Sequence, residues 1–232
     1  YTDAASSVLE TAAADGELTV AELNGADAIG VFLDEAELGL FIGSLIPQTN
    51  PALSALNTSL LKFFALQGDT SLVELLGVPG LNLSATNLQV RVNQGSGVGV
   101  GWGVPGGPMP VINFASTYPD DFYGADDGTA PDGYRVATNT SGAFQTLDFD
   151  GELLAASANT ALLRVSEFIY IEGSFAFEKG PVRTVELTTN TTTGVTPTPQ
   201  DMRFITVGGS NINAFVGINY GEDADNNGVL DR

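Results

Sequence analysis

Apolar residues in this chain recur at every second position, in short runs separated by glycine, asparagine, serine and threonine. LNLSATNLQVRVN (81–93) is apolar at Leu81 and Leu83 and again at Leu88, Val90 and Val92. ALLRVSEFIYIEGSFAFEK (161–179) alternates through Phe168, Tyr170 and, past a glycine, Phe175 and Phe177. RFITVGG, INAFVGINY, RTVELTT and FQTLDFDG follow the same rule. A period of two, filled by β-branched and aromatic residues, makes half-buried strands. The expected fold is therefore mainly β: packed antiparallel sheets or an elongated repetitive β structure, with long loops and at most short helices. It is read as one module over residues 1–232. Its inward faces are expected to carry Leu88, Val90, Val92, Phe168, Tyr170, Phe175, Phe177, Phe204 and Phe215.

Helical periodicity is scarce. It covers residues 3–14, and PALSALNTSLLKFF (51–64) fits helix or strand equally. Thr19 and Glu22 have the spacing of a capping box, which marks a helix start. ADAIGVFL, SATNLQVRV, SANTALLRV and GGSNINAFVG share one grammar, with small or polar residues, often including Asn, leading into an alternating strand. That pattern reads either as ordinary loop-then-strand sequence or as one loop–strand unit reused. PGGPMP (105–110) cannot lie in a central strand, because proline has no amide donor. NTTTGVTPTPQ (190–200) reads as an exposed loop or linker.

Composition narrows the chemistry. The chain has no Cys and no His, which excludes Ser-His-Asp and Cys-His catalysis, disulfides and an ordinary zinc site. Its 28 carboxylates against 8 basic residues give a formal charge of −20, which argues against nucleic acid and anionic membrane partners. No apolar run reaches the ~20 residues that span a bilayer, so membrane insertion is not expected. At 43% hydrophobic residues the chain can still build a substantial core. The start at Tyr1 and the stop within an acidic loop read as cuts inside a longer protein.

That last loop is the strongest motif. In DADNNGVLD, Asp223, Asp225 and Asn227 occupy positions 1, 3 and 5 of an oxygen-rich loop, with Gly228 at the turn, the Val229 carbonyl next and Asp231 at position 9. Hard Ca2+ takes six to eight oxygens, and alternate residues of such a loop point inward. Residues 222–232 are thus read as a calcium-loop junction, with the usual acid at position 12 falling past Arg232. A weaker echo, ADGELTVAE, has poor ligands at Thr11 and Ala13, and helix capping accounts for it. YPDDFYGADDGTAPDGY (118–134) is a second candidate loop. Asp120, Asp121, Asp126, Asp127 and Asp132 could gather around an ion or ligand, or simply form turns. Tyr118, Phe122, Tyr123 and Tyr134, with Trp102 as a second platform, offer apolar faces suited to sugars. In LDFDGE, Asp148, Asp150 and Glu152 are expected on the wet face and Leu147 and Phe149 on the dry one. The Asn-x-Ser/Thr triplets at Asn57, Asn82, Asn139 and Asn190 are taken as incidental.

The runs SLVELLGVPGLNLSATNLQVRVN, IYIEGSFAFEKG, FITVGGSNINAFVGINYG and DADNNGVLD resemble repeat segments of giant multi-repeat bacterial surface proteins, described as adhesin-like or RTX-like. The resemblance implies an extracellular, cell-surface location, adhesion or scaffolding, neighbouring copies of the same module as partners, and dependence on Ca2+ held by Asp223, Asp225, Asn227 and Asp231. Tandem GGxGxDxxx nonapeptides are absent, so it does not imply a calcium-filled parallel β-roll. Two other functions stay open. One is a carbohydrate-binding module using 118–134 to hold extracellular glycans. The other is a glycoside-active enzyme with a carboxylate pair, for which no pair is singled out by the sequence. The expectation is a structural protein and not an enzyme.

Overall fold

The computed structural model describes residues 18–25, 27–46, 61–97, 109–123, 133–187 and 198–217. The fold is mainly β, as the alternation requires. Helix α1 (Val20–Gly25) is followed by β1 (Gly30–Asp34), β2 (Glu37–Ser44), β3 (Lys62–Leu76) and β4 (Leu81–Ser96). After α2 (Phe114–Thr117) and a 3-10 turn (Asp120–Tyr123) come β5 (Tyr134–Ala137), β6 (Phe144–Leu147), β7 (Leu153–Val165), β8 (Ile169–Lys179), β9 (Arg183–Leu187), β10 (Thr198–Met202) and β11 (Ile205–Val216). The capping box forms: the Thr19 amide donates to Glu22 Oε2 at 2.9 Å and the Glu22 amide donates to Thr19 Oγ1 at 3.3 Å. The 51–64 stretch enters a strand at Lys62, and its earlier part, like 3–14, lies outside the described residues. Thr198–Gln200, the end of the expected 190–200 loop, are exposed and pair with β9.

Seven strands form one antiparallel sheet among the described residues, in the order β1, β3, β4, β7, β8, β11, with β2 also on β3. β1 and β2 share a single register on β3, from Gly30↔Leu76 to Ser44↔Lys62, so they act as one edge interrupted at Glu35. Two small hairpins, β5–β6 and β9–β10, stand outside this sheet.

A line of backbone irregularities crosses the sheet. Glu35, Asn87 and Asn211 take left-handed φ values of 47°, 48° and 52°. The β7–β8 register shifts between Ala158 and Ala161, and β8–β11 shifts between Ser210 and Asn213. On β3, the consecutive residues Thr70 and Ser71 both donate to the Asp34 carbonyl, at 2.5 and 3.2 Å, so alternation breaks there too. β8 contains no left-handed residue, and along it Ile169, Ile171, Gly173, Phe175 and Phe177 share a face. Cross-strand partners share a face as well. One row therefore runs Val31, Leu75, Leu83, Leu163, Ile171, Ala214 above the line. Another runs Leu38, Gly68, Val90, Ala156, Phe177, Val207 below it. Both lie on the same side of the sheet. An extra residue in a strand turns its following side chains over. Matched irregularities in neighbouring strands keep the apolar side continuous. Three of the four repeated sequence echoes hold their Asn at this line, at Asn87, Asn159 and Asn211, so they are mid-strand breaks and not loops leading into strands. Asn is suited to the left-handed conformation because its short polar side chain tolerates it.

The fully enclosed core lies on the other side. Phe114, Leu147 and Phe149 close over Ala65, with Phe41, Ile112, Tyr118, Tyr134, Val136 and Leu153 packed around them. This corrects the expected core. Leu88, Val90, Val92, Phe175 and Phe177 sit on the side of the sheet away from this cluster and remain half-buried or exposed. Tyr170 and Phe215 pair with each other on the opposite face. Phe168 lies in the turn between β7 and β8, and Phe204 in the link between β10 and β11. The reason is that alternation tells which residues share a side, while the cover decides which side becomes interior. The cover comes from 109–123 and 133–152, a stretch of loops and short elements with little periodic signal. Of the expectation for 147–152, Leu147 and Phe149 are buried and Asp150 is exposed, but Asp148 is half-buried because it turns toward the sheet to pair with Arg91, and Glu152 is half-buried too.

Gly173 sits where the β11 irregularity crosses β8. A Cβ there would lie 3.0 Å from Ile212 Cα and 3.1 Å from the Ser210 carbonyl, both backbone atoms. Gly173→Val is expected to destabilise the fold by about 1–3 kcal/mol through overpacking. Urea denaturation should show it as a lowered midpoint, and an unchanged midpoint would mean that β11 does not hold this register.

Candidate aromatic site on the 114–135 segment

Four of the residues expected to act together are brought together. Asn113 caps α2 by accepting from the Ser116 amide at 2.8 Å. α2 is anchored by the Phe114 amide, which donates to the Phe149 carbonyl at 2.7 Å. One turn later the Gly133 amide donates to the Tyr118 carbonyl at 2.9 Å and brings β5 alongside. Gly133 is required at this crossing, since a Cβ would stand 2.4 Å from the Leu147 carbonyl oxygen. Tyr118 then meets Phe122 edge-on at 4.9 Å and Tyr134 at 5.0 Å between ring centroids. Phe122 meets Tyr123 at 5.0 Å. Inward, Tyr118 stacks on Phe114 at 6.3 Å, and Phe114 meets Phe41 edge-on at 5.3 Å. The rings thus form a chain from a buried root to an open tip. Phe114 is 0% exposed, while Phe122 is 55% and Tyr123 42% exposed.

Arg135 was not singled out from the sequence, yet it completes the tip. Its guanidinium lies 4.9 Å from the Tyr123 ring centroid and 4.6 Å from that of Phe144, and its amide donates to Tyr123 Oη at 2.9 Å. Cationic planes over aromatic faces attract through the ring quadrupole. In a sequence so poor in basic residues, an Arg one position after Tyr134 was the available signal. The tip can offer an apolar ring face, a phenol oxygen and a guanidinium edge to one ligand.

Beneath this segment runs a polar layer that ties it to the sheet. Asn93, 1% exposed, donates both amide hydrogens' worth of contact through Nδ2, to the Ile112 and Gly151 carbonyls at 2.8 Å each. Arg91 pairs with Asp148, hydrogen-bonds Gln67 Oε1 at 3.3 Å and lies 5.1 Å from the Phe149 ring centroid. Gln145 donates to Asp69 Oδ1 at 2.5 Å. Buried polar groups fully paired in this way fix the position of a cover on a sheet.

Of Asp120 and Asp121 the backbone alone is described, in the 3-10 turn. Asp126, Asp127, Asp132 and Trp102 lie outside the described residues, as does the whole calcium-loop set Asp223, Asp225, Asn227, Val229 and Asp231. Among the described residues no cluster of three or more acidic side chains is placed to hold a metal ion. No described helix is long and apolar enough to cross a membrane. Of the Asn-x-Ser/Thr sites, Asn82 lies in β4 and Asn139 accepts from the Ser141 and Ala143 amides at 2.9 and 3.0 Å in a turn. The chain matches no family model, no curated protein and no solved structure.

The root and tip of the ring chain differ in what they hold up. Phe114→Ala should cost about 3–5 kcal/mol of unfolding free energy, as removal of a buried aromatic does. Phe122→Ala should cost under about 1 kcal/mol, since a large part of its ring is already in water. Chemical denaturation of the two variants measures both. Equal losses would show that the outer rings belong to the core.

Proposed function

We propose that this chain is a structural module, not an enzyme, of a secreted bacterial cell-surface or filament protein. It serves adhesion or extracellular scaffolding, is stiffened by Ca2+ at residues 222–232, and works beside neighbouring copies of itself. The observation that carries the reading is the open sheet. Its strands follow one another almost in sequence order, and among the described residues it ends on one side at the β1–β2 edge on β3 and on the other at β11 on β8. An unpaired edge presents free amides and carbonyls to another chain. A sheet of this form suits a unit repeated along a longer chain, and the resemblance to multi-repeat surface proteins points the same way.

The calcium part rests on the spacing of Asp223, Asp225, Asn227 and Asp231 and on charge. Twenty unbalanced negative charges repel one another across a Debye length of about 8 Å at physiological salt. A divalent ion at an acidic loop relieves that locally. The melting temperature in millimolar Ca2+ is expected to exceed that in chelator by several degrees, and Asp223→Ala with Asp225→Ala should remove the difference. Coincident melting curves for the unaltered chain would refute the calcium role.

A second reading is favoured by the exposed ring tip, a carbohydrate-binding surface built from Phe122, Tyr123 and Arg135. Sugar rings stack on exposed aromatic faces while hydroxyls meet polar edges. On a glycan array the unaltered chain should then retain at least one glycan, and Tyr123→Ala should lose it by tenfold or more. Retention of the same glycan by Tyr123→Ala would place binding elsewhere.

A further inference from the structure

We propose that two copies of this chain pair through the apolar side of the seven-stranded sheet, face against face, as a two-sheet sandwich. This goes beyond the modular reading and does not depend on calcium or on the strand edges.

Three observations carry it. First, the described strands hold no carboxylate on that side, in a chain with 28 of them; the charged residues they place there are Lys62 and Lys179. The acids of the sheet, such as Glu74, Glu172 and Glu178, lie on rows of the opposite side. Two strongly anionic molecules repel less across a surface that lacks their charge. Second, the side is wet where it reaches the edges: Ile42 is 72% and Val207 75% exposed. No described helix or strand makes an extended contact with it, since the cover formed by β5, β6 and α2 packs on the opposite side. Third, the area suffices. Six strands at about 4.8 Å and eleven residues at about 3.4 Å give a face of about 1,000 Å2 per copy. A stable interface needs about 800 Å2 from each partner. A flat surface related to itself by a two-fold axis is self-complementary, and apolar sheet faces stack about 10 Å apart. A neutral protein surface of the same size would also fit, but a second copy brings the match without further assumption.

Sedimentation equilibrium tests this, in calcium and in chelator alike. The expected mass is twice 24.0 kDa at micromolar concentration under both conditions. Ile42→Glu with Val207→Glu, both at exposed positions, should weaken association at least 100-fold while the far-UV strand signal is kept. Asn82→Glu, on the opposite side next to Arg164 in the register, should leave it unchanged. If the charge variant does not fold, a pair of single cysteines decides, since the chain has none of its own. A spin label at Val207→Cys should be shielded from a polar quencher, and one at Thr206→Cys should not. A monomer throughout the micromolar range overturns the proposal, as does a dimer indifferent to the charged variants or equal shielding at 206 and 207. Flotation of the monomer with neutral phosphatidylcholine vesicles would overturn it in favour of a lipid surface. Because melting in calcium is read separately from mass in chelator, failure of the calcium role and failure of the pairing are distinguishable.

Discussion

The structure depends on the line of irregularities that runs across the long strands at Glu35, Thr70–Ser71, Asn87, Asn159 and Asn211. In a pleated strand each residue points opposite to the last, so one added residue reverses everything after it. Had only one strand carried such a break, its distal half would have put apolar residues among polar ones and carboxylates among leucines. Because the neighbours break together, Leu83, Leu163 and Ile171 stay on the side of Val90, Ala156 and Phe177. Left-handed φ at a residue other than glycine costs of order 1 kcal/mol. Asparagine at two of the three left-handed positions keeps that cost low, and the sheet recovers it through rows that are apolar from edge to edge.

With its two sides kept distinct over the full length, the sheet can treat them differently. One side receives a cover. Asn93 and Arg91 hold its backbone and its acid Asp148, and Phe114, Leu147 and Phe149 fill the space between. The same cover lifts Phe122, Tyr123 and Arg135 to an open tip. The other side carries the aliphatic rows and, among the described strand residues, none of the acids. The acids of the described strands thereby gather on one side and the aliphatic rows on the other.

Much of this was legible from residue order, and where reading failed the cause is physical. The strands at 81–96, 169–179 and 205–216 follow from alternation, and the Thr19–Glu22 reciprocal hydrogen bonds follow from spacing. The Asn-bearing echoes read as loops leading into strands, because a small polar cluster inside a strand looks like a turn until its neighbours are known to break at the same height. Alternation assigns Phe175 and Phe177 to the interior and puts Phe149 on a dry face, whereas Phe114, which also fills the interior, sits in a segment too short to show a period. Of the candidate site, the gathering of Tyr118, Phe122, Tyr123 and Tyr134 was foreseen from their density, and Arg135 was not, since nothing local announces that a side chain will lie over two rings.

By itself, then, the order of residues determined that long antiparallel strands would form and that sulfur and imidazole chemistry were absent. These depend on neighbours one to four positions apart, where backbone geometry is nearly fixed. The tertiary structure decided which side of the sheet is closed, that the breaks align, and that Arg135 meets Tyr123 and Phe144. Those outcomes rest on contacts between residues tens of positions apart, such as Asn93 with Gly151 and Phe41 with Phe114. Local propensity assigns such pairs no energy until the chain has brought them together.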